Sequence, residues 1–156
     1  MSGLRRKDKE IKEKAEIEEI LRQTDVCRIA LCEGNQPYIV PMNFGYKDGV
    51  VYLHSAKEGK KIDIIRENGN VCFEVEAGAE LVTNDKPCSW TYRYRSVIGF
   101  GKARVLEGYE EKVNGLNIIM NHYTGKSDFE FGQEAVNAIV IIRIDIEEIT
   151  GKKSGY

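Results

Sequence analysis

The feature that most constrains the fold is a turn signal in the first half of the chain, Lys47-Asp48-Gly49, which lies between two strand-length apolar runs. An Asp-Gly pair readily adopts the positive φ angles of a two-residue turn whose twist matches that of antiparallel strands. The runs on either side, Pro37–Tyr46 and Val50–Ser55, are therefore predicted to form a β-hairpin. A chain organised around such hairpins folds as a mainly antiparallel sheet.

The rest of the pattern extends this hairpin into a meander with helices. Ile17, Ile20, Leu21 and Thr24 recur at helical spacing and mark one face of an N-terminal helix. Gly99 and Gly101 are typical of a bulge or a barrel corner. Helices are predicted over Lys7–Arg22, Gly59–Glu67 and Glu110–Tyr123, and further strands over Val26–Cys32, Val71–Glu76, Trp90–Leu106 (one bent strand or two) and Ala138–Ile149.

These elements amount to six or seven strands and three helices. They predict a single α+β domain over residues 1–156, preceded by a helical segment over 1–24. Because the strands run mostly as hairpins, the expected architecture is an antiparallel barrel of six or so strands with helices at its ends.

Charge and composition exclude several classes of protein. The 156 residues carry a formal net charge of −2 with both signs interspersed, so neither nucleic acid nor a membrane surface is an expected partner. Trp90–Ser96 interleaves aromatic residues with arginines, which suits single-stranded nucleic acid or, as we expect, a cross-strand aromatic ladder. There is no membrane-length apolar run and no secretory signal, which predicts a cytoplasmic protein.

The four cysteines, Cys27, Cys32, Cys72 and Cys88, form no CxxC pair, and only two histidines accompany them, so no metal site is predicted. The first three lie in apolar runs, where a reduced cysteine packs as a small hydrophobic residue. Cys88 lies in a more polar stretch; it is interpreted as buried, with a reactive thiol as the alternative.

The segment from His54 to Lys61 combines the features of an anion site between a strand and a helix. The first turn of a helix offers free N–H groups and the positive end of the macrodipole, and Gly59 allows close backbone approach. Ser55 adds a hydroxyl, and Lys60 and Lys61 add two positive charges, which together suit a phosphate monoester. Solvated lysines are the alternative. His54 is either a structural histidine, or a cofactor ligand or acid–base group.

Pro41 interrupts the donor pattern of the run Tyr38–Tyr46, because proline has no N–H to give to a β-ladder. This strand is therefore predicted to lie at a sheet edge or to carry a bulge. Its free peptide groups could face the polar edge of a flat heteroaromatic ligand, although a plain edge strand is the simpler interpretation.

Taken together, these segments resemble the pyridoxamine 5'-phosphate oxidase-like FMN-binding split barrels, most closely the branch that includes the nitroimidazole-resistance proteins. The resemblance runs from about Asp25 to Gly151. It rests on five segments that occur in the same order, Val40–Tyr46, Leu53–Lys61, Asn68–Glu74, Tyr94–Ala103 and Ile149–Lys152.

The resemblance implies a homodimer of split β-barrels with FMN in the cleft between the subunits. It implies that the isoalloxazine edge follows the second strand, that the ribityl chain and phosphate lie at the strand-to-helix turn, and that the ring is approached by the long strand. The implied cofactor-binding residues are Val40, Pro41, Met42 and Asn43 at the edge, His54, Ser55, Lys60 and Lys61 at the phosphate end, and Ser96 near the ring.

The function implied is that of an FMN-dependent oxidoreductase, which passes electrons from a nicotinamide or another donor to a small acceptor such as a nitroaromatic compound. His54 is the only candidate proton donor. The alternatives are a non-catalytic flavin sensor or store, and a split barrel that uses haem or a deazaflavin. The C-terminal segment Ile149–Tyr156 lacks the Arg- and Trp-containing end of true pyridoxamine phosphate oxidases, so vitamin B6 oxidation is not expected.

Overall fold

The computed structural model describes residues 5–156, which form eight β-strands and four α-helices. The strands are β1 (Glu10–Ile11), β2 (Cys27–Glu33), β3 (Gln36–Met42), β4 (Gly45–Lys47), β5 (Val50–Ala56), β6 (Asn70–Val82), β7 (Thr91–Leu106) and β8 (Ile139–Ser154). The helices are α1 (Lys14–Gln23), α2 (Lys60–Glu67), α3 (Tyr109–Thr124) and α4 (Gln133–Asn137). The predicted fold class, an antiparallel sheet with helices, is confirmed, with more strands than predicted.

The strands form one antiparallel sheet in the order β3-β2-β6-β7-β8-β5-β4, with β1 added to β8. Strands β3 and β4 follow each other in sequence but lie at opposite ends of this order. The chain therefore crosses the open seam of the barrel between them, through Asn43 and Phe44. This seam is the split of the split β-barrel.

Two apolar clusters hold the fold. The larger fills the barrel and includes the predicted face of α1, with Ile17, Ile20 and Leu21 buried. The smaller packs α3 against β5 and β8 and consists of Tyr52, Leu106, Ile118, Ile119 and Ile141. Strand β4 passes so close to α3 that a Cβ atom on Gly45 would lie 2.8 Å from the Ile118 backbone, so glycine is required there.

Local predictions about turns and glycines are confirmed. Asp48 and Gly49 adopt φ angles of 49° and 80°, as the predicted two-residue turn between β4 and β5 requires. The β7–β8 register shifts between Phe100 and Gly101, which is the irregularity that the glycines indicate. The long run from Trp90 forms one strand, β7.

Two predicted boundaries are wrong. The N-terminal helix begins at Lys14 rather than Lys7, because Glu10 and Ile11 pair with β8 and Ile11 gains burial there. Residues 1–4 of the predicted helical segment lie outside the described residues. The predicted strand Pro37–Tyr46 is two strands, because Asn43 and Phe44 leave the ladder to cross the seam.

Candidate functional site

The N-terminus of α2 directly follows β5 and begins with a backbone that only glycine adopts readily. Gly59 is the N-cap residue, with φ 127° and ψ 163°. No side chain makes a capping hydrogen bond to this helix. Its first-turn N–H groups therefore present positive potential without a side-chain acceptor, which is the arrangement that suits an anion.

Ser55, near the end of β5, carries an unsatisfied polar group. Its side chain is buried, with 5% of the residue exposed, and its hydroxyl has no hydrogen-bond partner among residues 5–156. A buried hydroxyl without a partner costs about 1–3 kcal/mol, so the site favours an additional polar partner. His54 is exposed, and adjacent strand residues point to opposite faces. The structure thus does not direct the His54 and Ser55 side chains to one point.

Lys60 and Lys61 stand on the first turn of α2 in different surroundings. The Lys60 ammonium lies 3.1 Å from the Glu33 carboxylate and 5.2 Å from the centre of the Tyr38 ring. Both members of that ion pair are about half exposed, so it is weak and open to exchange for another anion. Lys61 is half-buried and forms no ion pair with the described residues.

Strand β3 is an edge strand, which decides between the two interpretations of Pro41. Its register with β2 is unbroken from Gln36 to Met42, so there is no bulge, and its other backbone edge has no strand partner. Val40 and Met42 pack against the barrel core, whereas Pro41 and Asn43 are exposed. Of the predicted ring-edge segment, the accessible parts are therefore the free backbone edge, Pro41 and Asn43.

Tyr123 holds the seam crossing in place. Its hydroxyl donates to the Asp25 carbonyl at 2.6 Å and accepts from the Phe44 N–H at 3.1 Å and the Asn43 amide at 3.4 Å. Beside it, His122 Nε2 donates to the Thr24 carbonyl at 2.7 Å. The last turn of α3 thus positions the end of the predicted ring-edge segment.

Sequence reasoning missed this contribution of α3. The Tyr123 hydroxyl bonds to residues that are 79 and 98 positions away in the sequence, and no local motif indicates such contacts. The helix itself was predicted, but which of its residues meets the seam depends on tertiary packing.

Ser96 lies on β7, opposite Glu76 of β6 and Lys152 of β8. Strands β2 and β6 separate β7 from β3, so Ser96 is three strand spacings, about 14 Å, from the strand of Pro41. One chain therefore does not bring Ser96 together with the other predicted site residues.

The outer face of the sheet is apolar at its centre. Ile39 is 63% exposed, Phe100 46% and Ile98 39%. Beside them the Arg28 guanidinium lies 3.4 Å from the Glu74 carboxylate. Burial raises the pKa of Glu74, and Arg28 offsets only part of this effect. Such a patch on a folded chain is typical of a contact surface.

The cysteines differ in exposure. Cys27 is buried, and burial raises the pKa of its thiol to about 12. Cys88 is exposed, so its interpretation as a buried residue is wrong. Residues 5–156 contain no cluster of three or more His, Cys, Asp or Glu side chains that could hold a metal ion. No helix in this range is long and apolar enough to cross a membrane.

The donor set therefore fits a phosphate-bearing cofactor at one end of the seam. An uncapped helix terminus, an orphaned buried hydroxyl and two lysines lie within the Ser55–Lys61 segment. The free edge of β3 borders the same seam and carries peptide groups that pair with no strand of the described chain.

The model of a protein family described as pyridoxamine 5'-phosphate oxidase matches residues 13–153 of this chain. A crystal structure from Bacteroides thetaiotaomicron VPI-5482, provisionally assigned to 5-nitroimidazole antibiotic resistance, is 39% identical, with a TM-score of 0.81. That comparison covers 92% of this chain and 86% of the other.

More distant structures share the fold. The flavocytochrome Anf3 from Azotobacter vinelandii is 17% identical with a TM-score of 0.83, covering 99% of this chain and 73% of that one. An FAD-binding protein from Mesorhizobium loti is 24% identical with a TM-score of 0.66, and the comparison covers 92% of this chain and 96% of that one.

A relative is also found by sequence alone. An uncharacterised protein from Rhizobium meliloti (strain 1021) is 33% identical over 69 residues, which span 44% of this chain and only 43% of that relative.

Proposed function

This chain belongs to the pyridoxamine 5'-phosphate oxidase family, and from that premise we propose that it is a homodimeric FMN-binding oxidoreductase that reduces a small acceptor, with nitroaromatic compounds as the first class to test. The observation that carries the proposal is the unpartnered Ser55 hydroxyl, four residues before Gly59 at the uncapped N-terminus of α2. A phosphate group would satisfy both, since it accepts from hydroxyl and backbone N–H donors together.

Each part of the seam has a role in this proposal. Lys60 and Lys61 would bind the phosphate, with Lys60 exchanging its exposed contact to Glu33 for the ligand. The free backbone edge of β3, with Pro41 and Asn43, would orient the isoalloxazine ring. The redox chemistry comes from that ring when FMN is bound, and the protein supplies binding and orientation.

His54 is the candidate acid–base residue. Its imidazole is exposed on β5, on the face of the strand opposite to the buried Ser55 side chain, so a small molecule can reach it from solvent. We expect His54→Gln to lower turnover while FMN affinity stays within about twofold. A proportional loss of affinity and turnover would make His54 a cofactor ligand instead.

The homodimer is supported by the distance between β7 and β3 and by the apolar outer face. A single chain leaves Ser96 three strands from the ring-edge segment. A second copy packed on Ile98 and Phe100 would bring a second β7 to the seam and would cover these exposed side chains.

Sedimentation equilibrium tests the dimer. We expect the unchanged protein to sediment as a dimer and Phe100→Glu to sediment as a monomer. Tyr109→Glu is the matched control, because Tyr109 is similarly exposed on α3, and we expect it to remain dimeric. A monomeric unchanged protein at micromolar concentration contradicts the shared cleft.

The cofactor and the activity are tested on the purified protein. Absorption spectra and mass spectrometry of acid-released material identify the bound group; we expect FMN. Anaerobic reduction followed by addition of a nitroaromatic acceptor should reoxidise the flavin and consume the acceptor. A haem Soret band or released FAD contradicts the FMN assignment. Bound FMN that no acceptor reoxidises supports the alternative of a non-catalytic flavin protein.

A further inference from the structure

A pocket adjoins the β5–α2 loop, and none of its lining residues is one of those assigned above to the flavin. Its volume is about 360 Å³, within the lower part of the range for small-molecule sites. The pocket is lined by Lys57 and Glu58 of the loop, Arg66 of α2, Glu107, Lys112 of α3 and Val140 of β8.

Lys112 supplies a buried positive charge at the wall of this pocket. It is only 4% exposed, and its ammonium donates to the Ile139 carbonyl at 3.1 Å. Within residues 5–156, no carboxylate forms an ion pair with it. A buried ammonium is costly unless an opposite charge compensates it, so negative charge is favoured on its open side.

The other charges around the pocket do not supply that compensation. Arg66 and Glu107 pair with each other at 2.6 Å, which neutralises both. Lys57 and Lys112 then face a single remaining carboxylate, that of Glu58, which forms no ion pair with any described residue. The lining thus carries one positive charge in excess, with the buried ammonium at its wall.

We propose that this pocket binds an anion of the phosphate class, separate from the phosphate held by Lys60 and Lys61. Lys112 supplies the buried charge, and Lys57, which is exposed in the loop, supplies a second charge. Because Lys57 precedes Lys60 by only three residues, an anion in the pocket also fixes the loop that leads into the first turn of α2. The anion is either free phosphate or the second phosphate of a larger nucleotide, since both present the same chemistry.

The contrasting explanation is that Lys112 only fastens α3 to the junction of α4 and β8. Under that explanation Lys112→Met lowers stability, but phosphate has no effect that depends on Lys57. The two explanations therefore predict different results for a Lys57 variant. Lys57 is exposed and can be replaced without disturbing the core.

The test uses the full chain carrying Lys60→Ala and Lys61→Ala, so that the proposed flavin-phosphate site does not contribute. Inorganic phosphate is titrated and followed by ³¹P line broadening and by the rise in Tm. We expect saturable binding that weakens at least about fivefold on adding Lys57→Met, and further with Lys112→Met where that variant folds. Lys126→Met, an exposed lysine in the loop after α3, is the control and should change nothing.

The proposal is overturned if phosphate does not bind the double variant, or if Lys57→Met and Lys126→Met have equal affinity. No flavin is needed for this titration, so its failure is distinct from a failure of the proposed FMN site. FMN and FAD titrations of the chain with both lysines intact identify the source. Lys57→Met weakens FAD alone if the pocket takes a second nucleotide phosphate, and leaves both affinities unchanged if it takes free phosphate.

Discussion

Replacing Tyr123 by Phe tests whether the last turn of α3 holds the chain where it crosses the barrel seam. The substitution removes one hydroxyl and keeps the ring, so it deletes the bonds to Asp25, Phe44 and Asn43 alone. The exposed Asp25 carbonyl and Asn43 amide can turn to water. The partly buried N–H of Phe44 is left without its acceptor.

The expected cost follows from this difference. An orphaned buried N–H costs about 1–3 kcal/mol, whereas hydrogen bonds that water replaces contribute little. We therefore expect the free energy of unfolding to fall by about 2 kcal/mol, a change of roughly thirtyfold in the folding equilibrium. FMN affinity should fall as well, because the crossing carries the end of the proposed ring-edge segment.

Urea denaturation followed by circular dichroism measures the change, at one fixed protomer concentration because the proposed dimer would otherwise shift the midpoint. Tyr109→Phe is the control. Tyr109 is 40% exposed, against 39% for Tyr123, and its hydroxyl makes no hydrogen bond within the described chain. Equal stability of the two variants would refute the role of the Tyr123 hydroxyl.

Three further predictions follow from packing and titration. Gly45→Ala should lower the free energy of unfolding by about 1–3 kcal/mol, measured by urea denaturation, because the new Cβ meets the α3 backbone; Gly132→Ala, which meets nothing within 4 Å, should be neutral. The Tyr46 hydroxyl, which donates to Glu18 at 3.0 Å, lowers the pKa of that carboxyl, so this stabilisation is present above the ordinary carboxyl pKa and is lost as pH falls through the lowered value. Tyr46→Phe also removes the bond that this hydroxyl accepts from the Gly49 N–H at 3.2 Å, a loss that does not depend on pH, so the substitution should cost about 1 kcal/mol more at pH 7 than in acid; an equal cost at both pH values contradicts the coupling. Cys27, with its pKa raised to about 12 by burial, should stay unlabelled by a thiol reagent at pH 8 until urea unfolds the chain, as peptide mapping can show.

Much of the fold could be predicted because its signals are local. The Asp48-Gly49 turn needs two positive φ angles, and the face of α1 shows its helical spacing in three buried residues. A break in the strand alternation likewise predicts the helix after Gly59. In each case the structure is decided by residues within one or two turns of each other.

The errors fall where distant residues decide the local structure. Alternation through Val40–Tyr46 continues without a gap, yet the chain must leave the ladder at Asn43 to reach the other end of the sheet. Ile11 forms part of β1 because it pairs with β8, the last strand of the sequence. The Tyr123 hydroxyl meets the seam only after α3 has packed.

In the candidate site, too, the features set by nearby residues could be predicted and those set by distant residues could not. The predicted phosphate-end residues Ser55, Lys60 and Lys61 lie within seven positions of one another, so the sequence alone groups them. The directions of the side chains could not be predicted from the sequence. Val40 and Met42 pack against the core, which leaves only part of the predicted ring-edge segment accessible. Within one chain Ser96 lies three strands from that segment, and only the proposed second copy would bring such a residue to the site.

The most direct test of the central claim is FMN affinity, measured by quenching of flavin fluorescence for the unchanged protein and for the variant with Lys60→Ala and Lys61→Ala. Loss of two charge-assisted contacts, those of the exposed Lys60 and the half-buried Lys61, each contributing about 1 kcal/mol, predicts about thirtyfold weaker binding in the double variant. Lys126→Ala should bind as the unchanged protein does. Absence of FMN binding to the unchanged protein, or equal affinity in all three, would contradict the account.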